Sequence, residues 1–195
     1  MSIPYKLLLA LTFLAICFES VGFYISHILH KFNAWLFNYY MQIEVVLLGV
    51  VAMYFIEQVR LKRSIPVALA FNFGIWVYCV FTNTIYKFAD IAMVSGCFLL
   101  TAWYMIILIS RLDKINAFWK QPEVWLCIST ILYFSCNIPN MAMSRYGATH
   151  AHFQSGNWFQ SLNAINQVLN ILRYPLLAVS FWFAGREMVQ ETIKQ

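Results

Sequence analysis

Six long apolar runs follow one another along this chain, and that repetition limits what it can fold into. At about 1.5 Å of rise per residue, a helical run of about 18 residues or more crosses a hydrocarbon layer about 30 Å thick. The runs fall at about 5–28, 36–56, 65–86, 91–109, 122–143 and 158–184. The expected fold is therefore all-α, a polytopic bundle of six transmembrane helices forming a single domain over residues 1–195. A transmembrane barrel would instead show short strands of alternating polarity.

Composition points the same way. A soluble domain of 195 residues carries about a quarter of its residues as charges, whereas this chain has 11% charged and 62% hydrophobic residues. Pro66 and Pro122 are expected at or near the first positions of the third and fifth helices, where a missing N–H has no intrahelical acceptor to lose. A cleavable leader is the competing reading of the first run. Glu19 stands where such a leader would need a small residue, and the apolar pattern continues past it.

The basic residues sit in short clusters between the runs. Lys6, Arg60, Lys62, Arg63, Arg111, Lys114, Lys120, Arg186 and Lys194 fall on one side, against Lys31, Lys87 and Arg145 on the other. The positive-inside rule then places both termini in the cytoplasm of a cell whose plasma (inner) membrane holds the protein. With no basic helix or aromatic–basic stripe, the net charge of +5 reads as a topology signal and excludes nucleic acid as a partner. The five cysteines, Cys17, Cys79, Cys97, Cys127 and Cys136, lie within apolar runs and read as small buried hydrophobes.

Ionisable groups within the runs carry more information, because burying one in lipid costs several kcal/mol by insertion scales. They are Glu19, Glu44 and Arg173. Helical rise places both acids at similar depth in the outer half, and the lean of side chains toward their helix N-terminus tilts Glu19 and Arg173 toward each other. A Glu19–Arg173 ion pair is the expected contact, leaving Glu44 as the free acid. Asn163, Asn166, Asn170 and Arg173, spaced by three, four and three, share one face of the last helix. Asn137 and Asn140 flank Pro139, which frees the carbonyl of Ser135, as Pro175 frees that of Ile171. These residues, with Gln42, compose an expected outward-facing polar cavity lined by Glu19, Gln42, Glu44, Asn137, Asn140, Asn163, Asn166, Asn170 and Arg173. The plainer alternative is that the same amides hydrogen-bond the helices together.

The histidines His27, His30, His150 and His152 all fall toward the outer side, in pairs whose spacing suits a zinc- or copper-type site. Solvated histidines at a membrane surface are the simpler reading. No H-E-x-x-H, G-x-S-x-G or glycine-rich phosphate loop accompanies them, so no cofactor is expected beyond that zinc option.

The stretch from Cys17 to Glu44, with the later PEVW and LYFSCNIP, resembles a group of small bacterial multi-pass inner-membrane proteins of six or seven helices that has no established activity. The resemblance rests on an acid in an "E-x-x-G-[FY]-Y" turn, here Glu19 and Gly22, and another after "[LF]-[YF]-N-x-Y", here Asn38 and Glu44. It implies that the two acids belong together, and it implies no reaction.

The expected function is a small-ligand-binding or sensory module. Its outward-facing pocket takes a small polar or amphipathic ligand, and a membrane or cytoplasmic signalling partner supplies the output. A small-solute or proton-coupled transporter is the alternative, and it requires an inward polar path that the fourth helix, with only Ser95, Thr101 and Ser110, does not offer. A metal-dependent membrane hydrolase and a purely structural subunit complete the set.

Overall fold

The computed structural model describes residues 2–30, 33–83, 89–112, 118–149 and 157–193, without the side chains of 34, 83, 143–149, 157–163, 166 and 187–193. Among the described residues there is helix and no strand. The helices are α1 (Ile3–Phe23), α2 (Ala34–Phe55), α3 (Val59–Asn83), α4 (Asp90–Arg111), α5 (Pro122–Thr149) and α6 (Asn157–Ile193). Six spans are long and apolar enough to cross a membrane, as the sequence requires. A π-helical turn, Tyr24–Ile28, extends α1.

Local chemistry accounts for several boundaries. Pro4 sits in the first turn of α1 and Pro122 opens α5, both where the ring costs no hydrogen bond. Asp90 in the first turn of α4 and Arg111 in its last complement the helix dipole. Pro66 departs from expectation. Helix α3 starts at Val59, upstream of the apolar run, so the proline lies inside it. The basic segment Arg60–Arg63 has good helix propensity and its polar side chains stay exposed, so nothing stops the helix at the apolar boundary.

Helix α2 is the centre of the bundle. It packs against α1, α3 and α4, and 61% of its spanning window is buried, against 22% for α1, α3 and α6. Helix α4 bridges α2 to α5, and α5 carries α6. Two glycines set the closest approaches to α2. A Cβ at Gly96 would stand 2.8 Å from Val45 Cγ2, and one on Gly49 would stand 3.0 Å from the Leu69 methyls and 3.2 Å from Trp103. Without a hydrophobic driving force between helices in lipid, such close packing is the main source of association.

Helix α1 buries a single stripe, Tyr5, Leu8, Leu11 and Ala15, and presents Leu9, Phe13 and Ile16 outward. The Tyr5 ring meets Phe55 at 6.1 Å and Phe181 at 6.2 Å. This brings the start of α1, the end of α2 and the late part of α6 to one end of the bundle. Arg111 lies at that same end, paired with Glu57 at 3.3 Å, and it is the basic end. Leu48, Val51, Leu100, Tyr104 and Ile107 fill the interior of this half, each essentially without exposure.

Candidate functional site

Apart from Ser180, which donates to the Pro122 carbonyl at 2.7 Å, most of the described buried polar residues gather in the half of the bundle away from the basic end, around α2. Its Asn38 and Gln42 are one turn apart on one face, and its Tyr40 and Glu44 one turn apart on another. All four are buried. Between those two faces α2 turns Tyr39, Ile43 and Tyr54 outward, so its polar groups lie against neighbouring helices and not against lipid.

Glu44 is fully buried and takes two donors on Oε1: the Arg173 guanidinium through Nη2, and the Tyr40 hydroxyl at 3.2 Å. The guanidinium carbon of Arg173 lies 4.3 Å from the centre of the Tyr133 ring and 5.3 Å from that of Phe134. A desolvated guanidinium over an aromatic face gains about 2 kcal/mol, so α5 supplies rings where it has no acid to offer. Ser129 of α5 donates to the Arg173 carbonyl at 3.2 Å, fastening the two helices at the same level.

The Glu19–Arg173 pair expected from depth is not formed. Arg173 takes Glu44, and Glu19 accepts instead from the hydroxyl of the adjacent Tyr174 at 2.7 Å, on the exposed flank between α1 and α6. Counting residues along the helices gives both acids a similar level. What separates them is azimuth, and Arg173 points from α6 into the bundle toward α2 while α1 lies to its side. Glu44 is thus the paired acid and not the free one, although its Oε2 has no hydrogen-bond partner among the described residues.

A crevice runs between α1 and α6, with an enclosed space of ≈ 10 Å³, about what one water molecule occupies. Its wall is polar at one end, with Tyr40, Thr130, Arg173 and Tyr174, and apolar toward the basic end, with Leu8, Leu48 and Leu177. Helices α1 and α6 meet at both ends of it, through Glu19–Tyr174 and Tyr5–Phe181.

The other expected pocket residues distribute around this centre. Asn137 is buried and donates to the Tyr133 carbonyl at 2.9 Å, its Oδ1 having no partner among the described residues. Asn140 and Asn170 are half-buried, and the side chains of Asn163 and Asn166 lie outside the described residues. Gln42 faces a different cavity, between α2, α3 and α4. Tyr40, Tyr133 and Tyr174 join the centre beyond the residues expected from the sequence. Tyr40 stands four residues before Glu44, and Tyr174 adjoins Arg173.

Of the histidines, His27 stacks on Phe23 with ring centres 4.5 Å apart, and His30 takes a positive φ of 50° after the π turn. His150 and His152 lie outside the described residues. Among the described residues no three His, Cys, Asp or Glu side chains are grouped to hold a metal ion. The acidic turn has a structural role: Asn33 donates to the Gly22 carbonyl at 3.0 Å, and a Cβ at Gly22 would lie 3.1 Å from the Phe37 ring, so this glycine lets α2 return close against α1. Neither a known protein family, nor a curated protein, nor a solved structure matches this chain.

Proposed function

We propose that this integral membrane protein is a ligand-binding module that takes a small amphipathic molecule into the crevice between α1 and α6 and passes its occupancy to a partner. The polar end of the ligand sits at Tyr40, Arg173 and Tyr174, and its apolar part lies along Leu8, Leu48 and Leu177. The basic end faces the cytoplasm, by the excess of arginine and lysine there, so the crevice belongs to the outer half.

The observation that carries this reading is the buried Glu44–Arg173 pair, whose arginine lines the crevice. A buried ion pair holds helices together no better than apolar residues of the same volume. Charges kept inside a membrane bundle therefore point to a use beyond packing. The enclosed space suits one water, so a larger guest enters as α1 and α6 part. Helix α1 is suited to that movement, with one buried stripe and an otherwise lipid-facing surface. Transport has less support, because among the described residues the interior of the basic half is mostly apolar, and its buried Ser180 is committed to the Pro122 carbonyl.

The test is to fill the crevice without touching the ion pair. Thr12, half-buried on its wall, becomes Phe in Thr12→Phe. Native mass spectrometry of protein extracted gently from its own membrane is expected to find a retained small molecule on the wild type and none on the variant, at equal thermal stability. Identical adducts on both proteins, or none on the wild type, would overturn the proposal.

A further inference from the structure

Gln42 faces away from the ion pair, into a cavity of ≈ 10 Å³ bounded by α2, α3 and α4 and lined also by Asn38, Val45, Trp76 and Met93. Gln42 is 8% exposed. Two N–H donors meet this cavity, Gln42 Nε2 and Trp76 Nε1, and neither has a hydrogen-bond partner among the described residues. A buried donor left unpaired gives up its bond to water with nothing in return. On α3, one turn before Trp76, Oδ1 of Asn72 is also buried without a hydrogen-bond partner among the described residues. The orientation of that amide is set by its other end. Nδ2 donates to the Ala92 carbonyl at 2.9 Å and to Ser95 Oγ at 2.7 Å, and reversing the amide would turn Oδ1 against the Ala92 carbonyl oxygen. Ala92 itself borders the cavity.

We infer that this corner binds one small uncharged molecule that accepts hydrogen bonds, a water molecule held between Gln42 and Trp76. Two donors call for lone pairs, and a water supplies two. A halide would satisfy the donors, but it would place a bare charge in a cavity with no cationic side chain among the described residues of its lining. The space matches one water, and a buried water typically makes two to four such bonds. The site is separate from the α1–α6 crevice and does not depend on it. Its effect is to tie α3 to α2, at the level where Asn72 already ties α3 to α4.

The experiment is solution NMR on full-length protein in nanodiscs, labelled with ¹⁵N at tryptophan and glutamine. The indole resonance of Trp76 is assigned by its loss in Trp76→Phe. A cross-peak between that indole proton and the water resonance is expected in the wild type. It is expected to vanish in Gln42→Met, which removes the donor and fills the space, while the Gln42 amide loses its own water cross-peak in Trp76→Phe. If Gln42→Met does not fold, the wild-type cross-peak and the Trp76→Phe result still decide. An indole proton that contacts Gln42 and never water, or that shifts when bromide replaces a large organic anion, would overturn the inference.

Discussion

Arg173 and Glu44, separated by 129 positions in the chain, share one hydrogen bond at the buried centre of the bundle, and Tyr40 donates to the same carboxylate oxygen. Removing one partner leaves the other as an uncompensated charge. Glu44→Leu and Arg173→Met are each expected to cost about 3–5 kcal/mol. The double variant should recover most of that loss, because its site is apolar and of similar volume. Unfolding of the four proteins in detergent completes the double-mutant cycle. Additive losses would mean that the two side chains do not act as a pair.

The second acid should behave differently. Glu19 accepts from Tyr174 on the flank of the bundle, where α1 borders α6. Interhelical hydrogen bonds in membrane proteins average about 0.6 kcal/mol, and Tyr174→Phe is expected to cost about that much. The variant should nevertheless loosen α1. A cysteine pair placed across the two helices should cross-link more slowly in Tyr174→Phe than in the Tyr174 background. An unchanged rate would mean that the bond does not hold the helices together.

The difference between the two acids also marks how far the residues alone can be read. Hydropathy shows six spans because each helix must satisfy lipid over its whole length, a condition written locally in every run. Depth is similarly local, since counting along a helix measures it. Direction around the helix axis is not local. Residue counting gives Glu19 and Glu44 a similar level, and which of them meets Arg173 depends on α2 being central and α1 peripheral. That order was readable after all from Asn38, Gln42 and Glu44, which put polar groups on two faces of α2, whereas α1 carries one acid near its end. Pro66 shows the opposite limit, because an apolar boundary is where lipid begins and not where a helix must start.

Glycine substitutions should separate packing from propensity. A methyl group at Gly96 meets Val45 Cγ2 at 2.8 Å, so Gly96→Ala pushes α4 from α2 and is expected to cost about 1–3 kcal/mol. Among the described residues, nothing lies within 4 Å of a Cβ at Gly74 or Gly185. There Ala should leave stability unchanged or raise it by up to about 1 kcal/mol, through helix propensity alone. Thermal unfolding of the three variants gives the ranking, and a Gly74→Ala as damaging as Gly96→Ala would contradict it.

The ion pair at the basic end provides the counterpart to the buried one. Arg111 and Glu57 are 3.3 Å apart, but the Glu57 side chain is 81% exposed. Water and salt screen such a contact, and ordering two long side chains offsets what attraction is left. Glu57→Gln is therefore expected to change stability by less than about 1 kcal/mol, with the difference shrinking as salt rises. The Glu44–Arg173 pair, buried from solvent, should keep its coupling over the same salt range. Unfolding both sets of variants at low and high ionic strength makes the comparison, and an equal salt response from the two pairs would mean that water reaches the interior one.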